Sequence, residues 1–402
     1  MRVLFTFSGG FGHAQPLVPI AEAARSAGHP VAFLGRASVL ALLARQGFDV
    51  VSDGFPPDEP RMEIAPLMEP DPVHEARVLR RGFAGDFARQ RAARVVEVVG
   101  EWAADVVVFD EPDFGAQIAA EALGVPYASS LCLAAGSFVR PEVVSEPLDA
   151  LRASYGLEPD PGLRAPSRHL VISAFPPSFR DPAHPLPATA VSIRPPAVGA
   201  GGADATLAWL ASRPRRPVVY FTLGTVFNME SGDLFARVLA GLGELEVNAV
   251  VTVGWEIDPG AFGPQPEHVR VERFVPQAAV LGHCDVAIGH GGSGSTVGAL
   301  AAGVPVVLLP MGADQPLNAE RCVALGAGVV LDVVRCTPAD LRAAVERVLA
   351  DPSYRAAAER VRDEIAALPG AEAAVAALER LVGSSRVGSP SAPRASPASR
   401  PR

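Results

Sequence analysis

Short hydrophobic runs alternate with helix-length segments along the first half of the chain. The helix-length segments cover residues 16–27, 37–47 and 114–124. The hydrophobic runs around them are RVLFTFS, HPVAFLG, FDVV, ADVVVFD and VPYASSL. Runs so rich in Val, Leu and Phe are typical of strands that are buried on both faces. Strands that alternate with helices predict βαβ units and a parallel sheet.

The same alternation restarts at residue 217, after the Pro-, Gly- and Arg-rich stretch RPPAVGAGGADATLAWLASRPRRP, which contains a predicted short helix at ATLAWLA. The predicted strands of the second half lie in VVYFTLG, NAVVTVG, HVRVERFV, VAIGHGG, VPVVLLP and GAGVVLD. The fold class is therefore predicted as α/β, with two doubly wound parallel-sheet domains that face each other across a cleft. We expect an amino-terminal domain over 1–200, a linker over 201–216 and a carboxy-terminal domain over 217–383. The last helix is expected to pack either on the carboxy-terminal domain or back on the amino-terminal domain.

Two helix starts and an unstructured tail are predicted at the end of the chain. Thr337-Pro338 and Asp351-Pro352 each combine an N-cap side chain with a proline in the first helical turn. From residue 384 onward the composition is almost entirely Ser, Pro, Arg and Ala, with nothing to bury. This composition predicts a disordered tail over 384–402.

Charge and composition exclude several classes of function. The net charge of -9 argues against a general nucleic-acid binder. The first apolar run is too short for a secretory signal, and the least charged window, 122–139, is interrupted by GVP and serines. The scattered cysteines suit buried thiols, and the spacing of His283, Cys284 and His290 fits no usual zinc site. We expect a cytoplasmic monomer or homodimer with no bound metal, no nucleic-acid partner and no stable membrane insertion.

A glycine-rich turn, HGGSGST, joins a predicted strand to a predicted helix at residues 290–296. Bare glycines let a ligand approach the backbone, and the free N–H groups at a helix N-terminus attract anions. The Lys of a nucleoside-triphosphate loop is missing, and Val297 occupies the third glycine position of the dinucleotide fingerprint. The turn therefore indicates either a site for a diphosphate other than ATP or NAD, or a tight turn without a ligand.

A second glycine turn, SGGFGHAQP, follows the first predicted strand and contains His13. A histidine at this position is either a general base or a surface residue that caps the helix. Asp110 ends another buried strand, where it serves either to orient the imidazole of His13 or to cap the next helix. For Asp113 the N-cap role is favoured.

Asp314 and Gln315 follow the buried run VPVVLLP. A carboxylate beside an amide suits hydrogen bonds to sugar hydroxyls, and a solvated loop is the alternative. Residues 75–105 predict one or two amphipathic helices with their arginines mainly outward. In and near this segment, Phe83, Phe87 and Phe138 are candidates for a pocket wall or for the core.

Taken in order, these motifs resemble the GT-B glycosyltransferases of family 1, specifically bacterial enzymes that decorate antibiotics and other natural products. The similarity extends from Val3 to about Val382. It rests on GHAQPLVPIAEAARSAGH, VVYFTLGT, RFVPQAAVL, HGGSGST with LAAGVPVVLLP, and ADQPLNAERCVALGAG. The resemblance implies the GT-B fold, in which two Rossmann-like domains face each other across a cleft.

The resemblance also implies roles for individual residues. His13 would deprotonate the acceptor, and Asp110 would hold the other ring nitrogen of His13. The implied donor-binding residues are Phe274, Val275 and Gln277 for the nucleotide base and ribose; Thr225, His290, Gly291, Gly292, Ser293, Gly294 and Ser295 for the phosphates; and Gly12, Asp314 and Gln315 for the donor sugar. Plant relatives bind the ribose with a Glu at the position of Gly298, so the nucleotide stays open between TDP and UDP.

The activity implied by the resemblance is inverting, metal-independent transfer of a sugar from a TDP- or UDP-sugar. The acceptor is a hydroxyl or other nucleophile of a hydrophobic small-molecule natural product, the product is a β-glycoside, and no cofactor is expected besides the nucleotide sugar. Retaining GT-B enzymes usually carry a Glu before AxGxPVV, where this chain has STVGALAAGVPVV. The alternatives are a nucleotide-sugar epimerase, a lipid-linked-precursor transferase and a non-catalytic helper protein. The presence of both His13 and Asp110 argues against the helper.

Overall fold

Two parallel β-sheets form the frame of the protein in the computed structural model, which describes residues 1–56, 63–196 and 203–388. Helices cover both faces of each sheet, so that successive residues of a strand enter opposite hydrophobic clusters. In the first strand, Val3 and Phe5 pack on one face, and Leu4 packs on the other. Burial on both faces explains why the strand sequences are continuously apolar, and the predicted α/β fold class is confirmed.

The amino-terminal sheet has, within the described ranges, seven strands in the order β3-β2-β1-β4-β5-β6-β7. The strands are β1 (Val3–Thr6), β2 (Val31–Gly35), β3 (Asp49–Ser52), β4 (Val106–Asp110), β5 (Tyr127–Leu131), β6 (Leu170–Ser173) and β7 (Ala190–Ser192). The sequence pattern missed β6 and β7, which have only four and three residues. They become strands because the edge of β5 offers backbone partners, beginning with Ala128 opposite Leu170.

The carboxy-terminal sheet has six strands in the described chain, in the order β10-β9-β8-β11-β12-β13. They are β8 (Val218–Thr222), β9 (Asn248–Thr252), β10 (Val269–Glu272), β11 (Val286–Gly289), β12 (Val306–Leu308) and β13 (Gly328–Val330). Each of these strands lies within a run from which the sequence predicts a strand. The order reverses direction between β8 and β11, which is where a doubly wound sheet opens a crevice for a ligand.

The helices are α1 (Phe11–Ala14), α2 (Val18–Ser26), α3 (Ala37–Arg45), α4 (Pro72–Arg77), α5 (Ala88–Trp102), α6 (Phe114–Ala122), α7 (Pro141–Ser154), α8 (Asp204–Ser212), α9 (Leu234–Gly243), α10 (Gln277–Leu281), α11 (Ser293–Ala301), α12 (Gln315–Ala324), α13 (Pro338–Ala350), α14 (Pro352–Ala367) and α15 (Glu372–Gly388). A π-helix, Val78–Phe87, joins α4 to α5. Short 3₁₀ turns cover Gln15–Leu17, Ala165–Ser167, Pro177–Phe179, Phe227–Glu230 and Pro259–Phe262.

The predicted helix starts are confirmed by hydrogen bonds. Thr337 forms a reciprocal capping box with Asp340 at the start of α13, and Asp351 accepts a hydrogen bond from the Ser353 N–H at the start of α14. Asp113 likewise accepts from the Ala116 N–H at the start of α6. The helix predicted over 16–27 is observed as α2 and begins at Val18, two residues later than predicted, because Pro16 falls in a 3₁₀ turn that follows the short helix α1.

The last helix, α15, packs on the amino-terminal domain. Ala374, Val375 and Leu378 are buried in the same hydrophobic cluster as β1 and α2. The helix continues past Ser384, where the sequence predicts the disordered tail to begin, and ends at Gly388. The hydroxyls of Ser384 and Ser385 donate to the backbone oxygen of Leu381 and so continue the helical turn. The rest of the predicted tail lies outside the described residues, as do parts of the predicted linker and domain boundary at 197–202.

One arginine of the amphipathic segment points inward, contrary to the outward orientation predicted for most of them. Arg77, Arg80, Arg81 and Arg89 are exposed, but Arg91 is fully buried in α5. Charged partners at the base of the cleft, described below, make this burial possible. No helix among the described residues is long and apolar enough to cross a membrane. All the cysteines are free and buried, as predicted.

Candidate active site

The carboxyl ends of the two sheets meet in a cleft. After β5, the backbone N–H of Ala134 donates to Ser293 Oγ at 2.7 Å, and the N–H of Ala135 donates to Asn318 Oδ1 at 3.2 Å. Ser293 begins α11, and Asn318 lies in α12. The loops that follow the strands of one sheet therefore contact helices at the same edge of the other sheet.

His13 and Asp110 lie side by side at the base of this cleft. His13 Nδ1 is 2.5 Å from Asp110 Oδ2, because β1 and β4 are neighbours in the sheet. Asp110 is fully buried, and the side chain of His13 is 27% exposed. Gly9 allows this approach, since a Cβ atom there would lie 2.2 Å from the ring of His13. The structure thus brings together the two residues that the sequence predicts to act as a pair.

Ser8 holds the carboxylate of Asp110, and the sequence analysis missed it. Its backbone N–H donates to Asp110 Oδ1 at 2.8 Å, and its hydroxyl donates to Asp110 Oδ2 at 2.9 Å. The available signal was position alone: Ser8 follows a buried strand that is parallel and adjacent to the strand ending in Asp110. These two bonds fix the carboxylate so that it faces His13.

The charges around His13 make it a stronger base than a free imidazole. Burial by itself lowers the pKa of His13, but the hydrogen bond and charge of Asp110 outweigh burial, and the net pKa is raised. The negative charges of Asp314 and Asp113 contribute in the same direction. A raised pKa favours proton uptake by the ring, as a general base requires.

A buried ionic cluster supports the turn from below. Arg91 donates to the backbone oxygen of Phe7 at 2.8 Å and to Asp53 Oδ2 at 3.3 Å, and its Nε atom lies 3.4 Å from Asp113 Oδ2. Burial raises the pKa of Asp113 to about 6 despite the charge of Arg91. The Arg91 guanidinium therefore ties α5 to the end of β1, directly before Ser8.

The predicted phosphate turn forms the N-terminus of α11. Its N-cap, Gly292, has no side-chain hydrogen bond, so the first N–H groups of the helix remain available to a ligand. His290 is buried, and burial lowers its pKa to about 4, so its ring is neutral near pH 7. Thr225 is exposed on the turn after β8, next to Gly224, which packs against the ring of His290.

Ser293 serves the domain contact in this structure rather than an open phosphate site. Its hydroxyl donates to Asp314 Oδ2 at 2.6 Å while accepting from Asn318 Nδ2 and from the Ala134 N–H. Ser295, two residues further along α11, is partly exposed and has no such contacts within the described chain. Of the two serine hydroxyls expected at the phosphates, that of Ser295 is thus the more available.

The side chains of Asp314 and Gln315, which were predicted to bind the donor sugar, instead form hydrogen bonds within the protein. Gln315 is 1% exposed, and its Oε1 atom accepts from the N–H groups of Met311 and Gly312 at 2.8 and 3.3 Å. Asp314 is buried beside Ser293 and Asn318, and burial raises its pKa. Both side chains are closer to the protein interior than the expected contact with a sugar suggests, although the charge of Asp314 acts on His13 across the cleft. Gly12 is exposed beside His13.

A segment of the amino-terminal domain crosses to the carboxy-terminal domain. In this strap, residues 63–77, the Ala65 N–H donates to the Met229 oxygen at 2.7 Å, and Glu69 pairs with Arg335. Glu75 Oε1 accepts from the Ala313 N–H at 2.9 Å. Ala313 has a φ of 51°, in the left-handed region that residues other than glycine rarely adopt. The sequence pattern did not predict that Glu75 contacts the donor-sugar loop.

The residues predicted for the nucleotide base divide into two groups. Phe274 is 48% exposed and stacks on Trp255, which is 66% exposed, with 5.4 Å between ring centroids. Val275 is buried in the core, so only its backbone is available to a ligand. Gln277 donates to the Ser295 backbone oxygen at 2.8 Å and thereby links this region to the phosphate turn. Trp255 is a further residue that the sequence analysis missed.

A cavity that is open to solvent lies between the domains beside α11. Gly12, Cys132 and Phe175 line it from the amino-terminal domain, and Gly294 and Gly298 line it from α11. The loops that follow β1, β5, β6 and β7 therefore surround a space that extends along the first turns of α11. Its walls are mainly apolar.

Comparison with known proteins identifies relatives along most of the chain. Residues 236–381 match the family described as erythromycin biosynthesis protein CIII-like, C-terminal domain. The chain is 32% identical over 380 residues to L-demethylnoviosyl transferase of Streptomyces niveus, covering 92% of this chain and 95% of the relative. It is 30% identical over 433 residues to 4'-demethylrebeccamycin synthase of Lentzea aerocolonigenes, covering 95% of this chain and 99% of the relative.

Solved structures show the same architecture. The glycosyltransferase SnogD from Streptomyces nogalater superimposes with a TM-score of 0.75 at 25% identity, over 95% of this chain and 100% of SnogD. The glycosyltransferase VinC, in complex with dTDP, superimposes with a TM-score of 0.73 at 26% identity, over 96% of this chain and 100% of VinC. Both superpositions cover nearly the whole of this chain.

Proposed function

The chain belongs to the bacterial GT-B glycosyltransferases of antibiotic and natural-product biosynthesis, and we propose that it is an inverting enzyme that uses a thymidine diphosphate sugar. The acceptor is a hydroxyl or other nucleophile of a hydrophobic small molecule, and the product is a β-glycoside. The observation that carries this proposal is the contact of 2.5 Å between His13 and Asp110 at the base of the cleft, opposite the N-terminus of α11.

His13 acts as the general base. With Nδ1–H donated to Asp110, the free Nε2 atom accepts the proton of the acceptor as its oxygen attacks the anomeric carbon. Asp110 stabilises the imidazolium that forms, and Ser8 keeps the carboxylate in place. A positioned base of this kind contributes roughly 10²- to 10⁴-fold to the rate.

The leaving diphosphate is stabilised by α11. Negative charge develops on the phosphates as the bond to the sugar breaks, and the free N–H groups after Gly292 point at that charge. The hydroxyls of Ser295 and Thr225 and the neutral ring of His290 supply further hydrogen bonds. This arrangement supports metal independence, since backbone dipoles do the work that a divalent cation does in other transferases.

The positions of the base and the leaving-group site support inversion. His13 belongs to one domain and the phosphate turn to the other, and in the proposed reaction the sugar lies between them, so that attack and departure take place on opposite faces. A single displacement of this kind converts an α-linked nucleotide sugar into a β-glycoside. No second nucleophile is needed at the anomeric carbon.

The acceptor and nucleotide sites are both partly aromatic. Phe83 lies 6.2 Å from the ring of His13, and Phe87 stacks on Phe55 at 5.1 Å, which provides an apolar surface for the acceptor. On the donor side, Phe274 and Trp255 offer a stacking surface for the base. Gly298 offers no carboxylate to a ribose hydroxyl, which suits the deoxyribose of a thymidine nucleotide, the kind bound in the VinC structure.

The test is transfer by the purified protein from TDP- and UDP-sugars to a panel of polyketide and aromatic aglycones. We expect TDP-sugars to be preferred and the anomeric proton of the product to show β coupling by NMR. Activity should persist in EDTA. An α-linked product would overturn inversion, and EDTA-sensitive activity restored by Mg²⁺ would overturn metal independence. Release of an epimerised sugar without an acceptor would instead identify an epimerase.

A further inference from the structure

A thiol lies next to the proposed base pair. Cys132 Sγ is 3.8 Å from His13 Nδ1 and 3.9 Å from Asp110 Oδ2, and those two atoms are 2.5 Å apart. Asp110 is the last residue of β4, and His13 and Cys132 come after β1 and β5, which are the neighbours of β4 in the sheet. The reaction proposed above uses His13 and Asp110 but gives the thiol no role.

The three side chains match the ligand preferences of zinc. Imidazole nitrogen, carboxylate oxygen and thiolate sulfur bind Zn²⁺ at about 2.0–2.3 Å. Given the three separations, a point about 2 Å from all three atoms exists, so a metal ion there needs only small side-chain movements. Their ligating atoms all lie within 4.8 Å of one another. A set of three protein ligands leaves the fourth zinc position for water.

The site is accessible from the interdomain cavity. Cys132 lines that cavity together with Gly12, and the side chain of His13 is 27% exposed. Ser8 already orients Asp110 through two hydrogen bonds, as outer partners of zinc ligands do. A hydrated divalent cation can therefore reach the cluster by the path that serves the substrates.

We propose that His13, Asp110 and Cys132 form an inhibitory zinc site. Zinc coordination replaces the thiol proton, which is released, and displaces the proton of His13 from Nδ1 to Nε2. A ring with zinc on Nδ1 and a proton on Nε2 cannot accept the proton of the acceptor. Binding of zinc thus needs only the geometry, whereas inhibition rests on the proposed role of His13 as the base.

Binding is tested by titrating the metal-free full-length protein with Zn²⁺ in competition with a chromophoric zinc indicator. We expect one tight site in the wild type. Its zinc affinity should fall by on the order of 100-fold or more in Cys132→Ala, since even the outer partners of zinc ligands contribute roughly 10- to 100-fold to affinity. Cys132→Ser keeps the size of the side chain and should show the same loss. Cys322→Ala, at a fully buried cysteine of α12, is the matched control. Equal zinc affinity in wild type and Cys132→Ala would overturn the site.

Inhibition is then measured as the ratio of transfer rates with and without Zn²⁺ for each variant. Wild type and Cys322→Ala should lose transfer as the site fills, and Cys132→Ala should require on the order of 100-fold more zinc. Mg²⁺, which prefers oxygen ligands, should not compete. Zinc that binds through Cys132 without slowing transfer would overturn the inhibitory role and contradict His13 as the base. Absence of binding would leave the proposed function untouched.

Discussion

The Nδ1 atom of His13 and the Oδ2 atom of Asp110 lie 2.5 Å apart, although 97 positions separate the two residues in the sequence. The parallel register of β1 and β4, with Thr6 opposite Phe109, places the first loop directly beside the end of β4. The turn that follows Ser8 then folds His13 back over the carboxylate. A base and its orienting group are thereby built from two strand ends rather than from a flexible loop.

Replacing His13 by Ala should reduce the transfer rate by roughly 10²- to 10⁴-fold, because the variant lacks the proposed general base. Binding of the nucleotide should stay near normal, since His13 does not belong to the phosphate turn. Steady-state kinetics and calorimetry with TDP measure the two effects separately. His184→Ala, at an exposed histidine of the same domain, is the control. Wild-type turnover in His13→Ala would rule out the base assignment.

The two serines of the phosphate turn should respond differently to replacement by Ala. Ser295→Ala should weaken TDP binding by about 0.5–1.5 kcal/mol, roughly 2- to 10-fold, the usual contribution of one hydrogen bond. Ser293→Ala removes the hydroxyl that links Ala134 to Asp314, so its main effect should be a lower thermal midpoint. Calorimetry and thermal unfolding distinguish the two outcomes. Unchanged TDP affinity in Ser295→Ala would count against its role at the phosphates.

Glu75 should affect the donor sugar but not the nucleotide. Its carboxylate holds the Ala313 N–H beside Asp314 and Gln315, so Glu75→Ala should raise KM for the sugar nucleotide by about 2- to 10-fold, the effect of one lost hydrogen bond. Glu75→Gln keeps an accepting oxygen and should recover most of the loss. The affinity for TDP alone should equal that of the wild type, because TDP lacks the donor sugar that this loop is proposed to contact.

Glu69 provides the control for Glu75. It lies on the same strap, and its exposed ion pair with Arg335 should contribute only about 0–1 kcal/mol. Glu69→Ala should therefore leave KM for the donor unchanged. An equal rise in KM in both variants would indicate that the strap acts as a whole and that the contact with Ala313 has no specific role.

The loss of stability in acid should depend on Glu121. Its carboxylate accepts hydrogen bonds from Arg152 at 2.9 and 3.1 Å and from Arg168 at 2.6 Å. Burial alone raises the pKa of Glu121, but hydrogen bonds from Arg152, Arg168 and Gln117 lower it to about 2 from 4.5. A folded pKa below the unfolded value means that the stabilisation is complete above pH 4.5 and is lost as the pH falls toward about 2.

Glu121→Gln should accordingly lower the free energy of unfolding by about 1.5–3 kcal/mol at pH 7, the range for hydrogen bonds to a charged group. The difference from wild type should shrink steadily below pH 4.5. Urea unfolding followed by circular dichroism at several pH values measures this difference. Glu101→Gln, at an exposed position of α5, is the control. A difference that stays constant down to pH 2.5 would show that charge plays no part.

Local features of the fold were determined by the sequence itself. The strands from β8 to β13 and the helix starts at Asp113, Thr337 and Asp351 all lie where the pattern predicts them. These features depend on periodic burial and on hydrogen bonds between residues two or three positions apart. Such interactions are encoded within a single segment, so they can be derived without knowing how the segments pack.

Tertiary structure alone decided which side chains meet in the cleft. Three such contacts join residues 102, 119 and 238 positions apart in the sequence: Ser8 with Asp110, Cys132 with His13, and Glu75 with Ala313. Their sequence surroundings are ordinary, and each acquires its role only when the strand order and the domain contact place a partner within hydrogen-bond distance. Arg91 shows the same principle, because its burial is stable only where Asp53, Asp113 and the Phe7 oxygen converge. The sequence by itself therefore determined the two sheets and the candidate residues at their ends. The packing of the sheets decided what those residues can do, because partners distant in sequence come within hydrogen-bonding and electrostatic range only in the folded chain.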